Sequence, residues 1–293
     1  MLCGPVSSRW PQVTRRPCSR GSSRIRTTGA PRSARPSPCR TSRWCCTAAA
    51  TPTAADLLAD LAALGPYFAV DVHRPGSPPL PPWQPLGELV SSPGALAVRI
   101  GEVRERLAAA AGCPPGSVEF RVAASIAQLG LCARLLSPAL GAAAAGRALP
   151  VDTAQARWIP ALGGPFRLSL PDTALTAEAG TAATAALLAG PITQIVRAVE
   201  AMAVSPRVLW GNVASAVNGA ATMIAAARPD LAAPAAGAAA ALLADPALNG
   251  TYQGRPLRGF RRRNCCLIYR LSPSAPAYCG DCVLGTAAPG PAR

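Results

Sequence analysis

From Thr51 onward, apolar residues recur mostly at helical spacing. Leu57, Leu61 and Leu64 share one face behind a Thr51 cap with Pro52 in the first turn, and Gly65-Pro66 ends the run. Leu96, Ile100, Val103 and Leu107 predict a second helix, with Glu102 and Arg106 four apart on its surface and Gly112 closing it ahead of Pro114-Pro115. A third helix is expected to start from a Ser117 cap, to bury Val122, Ile126, Leu129, Ala133 and Leu136, and to stop before Pro138. Its other side carries Arg121, Ser125, Gln128 and Cys132. That stripe reads first as a solvated face and, alternatively, as one wall of a binding cleft. Further helices are predicted at 174–189, 191–204 and 206–227, the last started by Ser205-Pro206. An alanine-rich helix then runs to Ala244 before Asp245-Pro246 and Asn249-Gly250. The β signal lies at 156–159 and 166–170, where Arg167 and Ser169 alternate with apolar neighbours around a Gly163-Gly164 turn. The proline-rich stretch 73–85 is expected to be a connector, and no repeat of fixed period stands out.

These elements predict an α+β fold, mainly α: a helical domain over 51–254 with a small antiparallel sheet, followed by a cysteine-rich tailpiece over 255–285. The flanks 1–50 and 286–293 are expected to be disordered. The first is built from Arg, Ser, Pro, Thr and Gly, too poor in apolar residues to offset the entropy of ordering it. It lacks the apolar core of a secretory signal. It resembles an organelle transit peptide, or upstream sequence included by a mis-assigned start. Half of all residues are hydrophobic, but alanine dominates and mean hydropathy is only +0.23. No window is therefore expected to offer the roughly 18–20 strongly apolar residues of a membrane span; 179–204 is interrupted by Pro191, Arg197 and Glu200, and 231–244 is too short. The net charge of +15 has the look of a nucleic-acid signal until it is located. Residues 1–50 contribute +10 and the other 243 only +5, so no nucleic-acid partner is expected.

The chemistry concentrates in the cysteines. Cys3, Cys18, Cys39, Cys45 and Cys46 lie in the first segment, Cys113 and Cys132 are isolated, and Cys265, Cys266, Cys279 and Cys282 crowd near the end. The odd total of 11 and the long cysteine-free stretches argue for a reducing compartment over a disulfide framework. In Cys279-Gly-Asp-Cys282 the two-residue spacing lets both sulfurs turn to one metal. The adjacent pair Cys265-Cys266 suits a single tetrahedral ion less well, because neighbouring side chains on an extended chain point apart. Spacing alone leaves an iron–sulfur cluster, a structural zinc and a redox disulfide open, in that order.

The segment Phe260-Arg-Arg-Arg-Asn-Cys265-Cys266-Leu-Ile-Tyr-Arg270, continued by Cys279-Gly-Asp-Cys282-Val-Leu284, resembles the C-terminal signature of the FhuF-like ferric-siderophore reductases. The likeness extends upstream through 118–125, 133–138 and 209–215, with a longer spacing here between the cysteine pairs, the surplus falling in 272–277. The resemblance implies a [2Fe–2S] cluster bound by Cys265, Cys266, Cys279 and Cys282 in segment 255–285. It further implies a cytoplasmic reductase that takes siderophore-held Fe(III) to Fe(II). Arg262 and Arg263 are candidates for tuning the cluster or docking a donor, with Arg261 and Arg270 also close to the ligands in sequence. The alternatives are a binding protein stapled by zinc on the four cysteines, and a siderophore-binding or iron-sensing protein without turnover. No Gly-x-Gly-x-x-Gly joins a strand to a helix, so electrons are expected from outside, from a ferredoxin or flavin reductase. Ferric siderophore is the implied small-molecule partner, and a siderophore importer the implied transient contact. Arg121, Gln128, Arg134, Trp210 and Asn212 are polar or aromatic positions in family-like stretches, although Leu209 and Trp210 read equally as core. Serine–histidine catalysis is not expected, since the one histidine, His73, falls in the connector.

Overall fold

The computed structural model describes residues 53–176, 182–271 and 278–285. The expectations for 1–50, for the Thr51 cap, for 272–277 and for 286–293 lie outside those residues, as do the five cysteines before Cys113.

Helix α1 (Ala54–Ala63) is capped by Thr53. Its hydroxyl accepts from Asp56 N–H while the Asp56 carboxylate accepts from Thr53 N–H. Leu57 and Leu61 are buried as expected. A short α2 (Glu88–Ser91) leads into α3 (Pro93–Ala111), which Gly112 closes in a left-handed conformation at φ 64°. The surface pair on α3 differs from expectation: Glu102 accepts from Arg99, one turn earlier, at 3.1 Å, and the Arg106 guanidinium lies against Gly163.

The third predicted helix is longer than its signals. Helix α4 runs Phe120–Ala144, with Glu119 at its N-cap position, while Ser117 sits in a 3-10 turn before it. Pro138 does not end it. The missing proline N–H costs one rung of the ladder, but α4 is buried on nearly every side, and packing outweighs the local penalty. The assignment of its faces is corrected as well. Ile126, Leu129 and Ala133, read as core, are half-exposed, whereas Ser125, Gln128 and Cys132, read as a solvated stripe, are each 0% exposed.

Beyond a 3-10 turn at Asp172–Thr176, α5 (Ala182–Leu187) passes through a π-turn at Leu188–Ile192 into α6 (Thr193–Glu200). The expected break near Pro191 is absorbed by the wider turn, where a missing donor is tolerated. Helix α7 (Pro206–Ala227) has Pro206 in its first turn, and α8 (Ala232–Leu243) packs beside it. The most extensive helix contact is α4 on α7. Both are long and apolar enough by composition to cross a membrane, contrary to the sequence expectation. In this fold 78% and 61% of their most apolar windows are buried within the protein.

The predicted hairpin is present as β3 (Arg157–Ile159) and β4 (Arg167–Pro171). Two strands come from the segment expected to be connector and its edge: β1 (Asp71–His73), parallel to β4, and β2 (Gln84–Pro85), antiparallel to β3. The order is β1-β4-β3-β2, so the sheet is mixed. Three- and two-residue strands next to prolines are too short to show alternation. His73 is correspondingly not a surface residue of a connector: it is half-buried, its Nδ1 2.8 Å from Ser169 Oγ.

Arg134, in the middle of α4 and 2% exposed, ties helix to sheet. It donates from Nε to Phe166 O (2.7 Å), from Nη1 to Tyr67 O (2.8 Å) and from Nη2 to Ala69 O. Burial lowers its pKa to about 10, so it stays charged at neutral pH. It is therefore a structural clamp, not a group presented to a ligand. Arg134→Met is expected to destabilise the fold by about 3 kcal/mol, measured by urea unfolding, because three buried carbonyls lose a charged donor.

Candidate metal centre

After α8 the chain forms a second hairpin, β5 (Tyr252–Arg255) and β6 (Arg258–Arg262), whose Phe260 is buried and stacks on Tyr252. Strand β6 delivers the chain to Cys265 and Cys266 against α4 and α7. The backbone then turns, with Leu267 at φ 72°, into a 3-10 turn at Ile268–Leu271. Arg270 in that turn donates to the Glu119 carboxylate at 2.5 Å, which pins the stretch to the start of α4. Together with Arg121, this pairing holds Glu119 below the ordinary glutamate value.

The second cysteine pair reaches the first through β6. Arg262 N–H donates to Asp281 O at 2.9 Å, and Cys282 N–H closes the Cys279–Cys282 turn on Cys279 O at 3.0 Å. Arg261 donates from Nη2 to Cys282 O (2.7 Å) and Gly285 O. The Cys266 and Cys279 sulfurs stand 3.7 Å apart. Cys265 Sγ accepts from Leu267 N–H, and Cys282 Sγ from Leu284 N–H, each at 3.3 Å. None of the described cysteines is in a disulfide. Among the described residues, no three His, Cys, Asp or Glu side chains surround one point as a single ion would require.

The four arginines near the cysteines have different situations. Arg263 is exposed, Arg270 is paired with Glu119, and Arg261 is spent on carbonyls. Arg262 is 1% exposed. It donates from Nε to Asn264 O (2.9 Å), and from Nη2 to Asn212 Oδ1 (2.6 Å) and Val208 O (3.4 Å). Its Nη1 is buried with no partner, and no carboxylate forms an ion pair with it among the described residues. Gly211 makes this approach possible: a Cβ there would lie 3.1 Å from Arg262 Nη2. The charge of Arg262 acts on the thiols. Cys266 is pushed down to about 6, first by hydrogen bonding with Cys279 and then by Ile268 N–H and Arg262. Cys279 is pushed up by the same pairing, and Cys265 by burial. Burial also raises Asp281, which accepts from Ser215 Oγ (2.6 Å) and Asn218 Nδ2 (3.5 Å).

The buried polar stripe of α4 supplies the floor. Ser125 Oγ–H donates to Cys266 O at 2.9 Å, and Asn212 Nδ2 lies 2.9 Å from Ser125 O and 2.9 Å from Gln128 Oε1. Gln128 Nε2 in turn donates to Cys132 Sγ (3.1 Å) and Leu209 O (3.3 Å). Burial holds the Cys132 thiol protonated. Gln128 and Asn212, named as polar positions, are thus inward-facing; Arg121 is exposed and paired with Glu119, and Trp210 is half-buried against the core. A cleft of about 190 Å³ does lie along α4, but on its apolar side, at Ile126, Gly130 and Leu131. Sequence reasoning missed Ser125 and Ser215 as partners of the cysteine segment; their positions in the stretches 118–125 and 209–215 were the available signal.

Four sulfurs, N–H donors aimed at two of them, and a buried cation with a spare donor make a site suited to an anionic, thiolate-held group. The fold is α+β, mainly α, with this cysteine cluster at the C-terminal end of a helical body. Residues 262–284 match the family model of the FhuF 2Fe-2S C-terminal domain, so the cysteine segment is similar to that domain. No curated protein matches the chain.

Proposed function

We propose that this protein is a cytoplasmic [2Fe–2S] reductase that passes single electrons to siderophore-held Fe(III). In this reading Cys265, Cys266, Cys279 and Cys282 hold the cluster, and Fe(II) is released. The observation that carries it is Arg262: a guanidinium buried to 1% exposure, with an unpartnered Nη1, among four cysteines. No carboxylate forms an ion pair with it among the described residues, Asp281 feels its charge only at a distance, and an anionic group at the thiols would offset the cost of its burial. A [2Fe–2S] cluster, when bound, supplies a one-electron couple. The residues around it hold and tune. Leu267 and Leu284 N–H donate to sulfur, Arg262 offsets negative charge, and Ser125 with Asn212 fixes the Cys266 backbone. Hydroxamate and catecholate oxygens prefer hard Fe(III), so lowering the iron's charge weakens every iron–oxygen bond and frees the metal.

Anaerobic purification tests the reading. A brown protein with about two irons and two sulfides per chain, EPR-active once reduced, is expected. With reductant and a ferric siderophore it should deliver Fe(II) to a ferrous trap such as ferrozine. A colourless zinc protein rejects the cluster, and a brown protein without turnover rejects the reductase.

A further inference from the structure

The β5–β6 hairpin carries a charge pattern that works against its own stability. Arg255 stands opposite Arg258 across the strands, and like charges so placed repel. Both are exposed, as are Arg263 beyond β6 and Arg207 in the first turn of α7. Among the described residues, none of these four guanidinium groups has an ion pair or hydrogen bond. Asp281, the one acid between Pro246 and Gly285, is turned inward onto Ser215 and Asn218 and neutralises none of them.

The hairpin is built tightly and held beside the cysteines. Gly254, at φ 82°, packs so closely that a Cβ there would collide with Gly259 O. Asn218 Oδ1 accepts from Leu257 N–H at the hairpin tip (3.2 Å), while its Nδ2 donates to Asp281 in the Cys279–Cys282 turn (3.5 Å). One side chain thus binds the basic tip to the cysteine turn. Flanking the cysteines on the outside, Tyr278, Val283 and Leu284 are 50%, 41% and 49% exposed. The hairpin, the cysteine turn and the start of α7 thus present exposed apolar side chains and unpaired arginines, the composition of a docking surface.

We propose that this face docks an acidic electron-carrier protein, whose carboxylates pair with Arg207, Arg255, Arg258 and Arg263 while its redox centre seats against Tyr278, Val283 and Leu284. The proposal rests on the redox reading above. The carrier, an iron–sulfur or flavin protein in its reduced state, loses one electron; this protein gains it; no bond is made or broken. Anionic lipid would also attract arginines, but it would cover the cysteine turn and block exchange.

The test uses the purified protein, first shown to contain iron and sulfide, and a small acidic [2Fe–2S] ferredoxin as probe. Calorimetry measures binding, and stopped-flow mixing measures electron transfer from the reduced probe. Raising salt from about 50 to about 400 mM is expected to slow transfer at least about tenfold. The double variant Arg255→Glu/Arg258→Glu should weaken binding by a similar factor with unchanged iron content and EPR spectrum, whereas Arg74→Glu, on the loop after β1, should not. Salt-independent transfer, or wild-type binding by the double variant, overturns the docking proposal alone. So does arginine-dependent binding to phosphatidylserine vesicles with no binding of ferredoxin. A preparation without a cluster overturns both this proposal and the redox reading.

Discussion

Cys279→Ser and Cys282→Ser are each expected to lower iron per chain at least about tenfold and to abolish the visible absorption of the anaerobically purified protein. Cys282 is buried and accepts from Leu284 N–H, and Cys279 lies 3.7 Å from Cys266. A serine oxygen is harder and sits on a shorter bond, so it replaces neither the ligand nor its reach. Cys113→Ser, at the far end of α3, should keep full iron. Iron and sulfide analysis with absorption spectra decides. If iron content survives in either cluster variant, the four-cysteine assignment fails.

Arg262→Gln is expected to lower the midpoint potential by on the order of 100 mV, read by EPR-monitored titration. Removing a neighbouring unit charge from an anionic centre, at an effective dielectric of about 20, would have that size. Arg262→Lys keeps the charge and should shift the potential much less, although it loses the fork that reaches Asn264 O, Asn212 Oδ1 and Val208 O. Stability falls in both variants, because Asn212 Oδ1 loses its donor. The contrast in potential therefore separates charge from packing, and equal shifts in the two would show that the charge of Arg262 does not set the couple.

Most helices were legible because they combine periodic leucines with explicit end signals, as at Gly112 and at Ser205-Pro206. The errors share a cause. Pro138 and Pro191 are local stop signals overridden by tertiary burial, which sequence windows do not contain. The polar side of α4 was misassigned because Ser125, Gln128 and Cys132 look solvated by type. Their burial depends on Asn212, 84 residues from Gln128, and on Cys266, 141 residues from Ser125. The cysteine pairs were legible by spacing and resemblance. The distinct burial of Arg262 among three consecutive arginines was not, because strand alternation fixes which one points inward only once the hairpin register with Tyr252 is known.

The uninterrupted course of α4 from Ser125 to Arg134 constrains how this chain can vary in length. Ser125 grips the cysteine segment and Arg134 grips the sheet, nine positions along one stiff rod, or about 13.5 Å at 1.5 Å per residue. Each residue inserted between them would rotate one grip by about 100° relative to the other, swinging it away from its target. Only gains or losses near two whole turns, about seven residues, would restore the phase, and they would still shift the spacing by about 10 Å. The stretch between Ser125 and Arg134 is thus fixed in length by geometry, as a gear is by its tooth count, while the loops around it are free to grow.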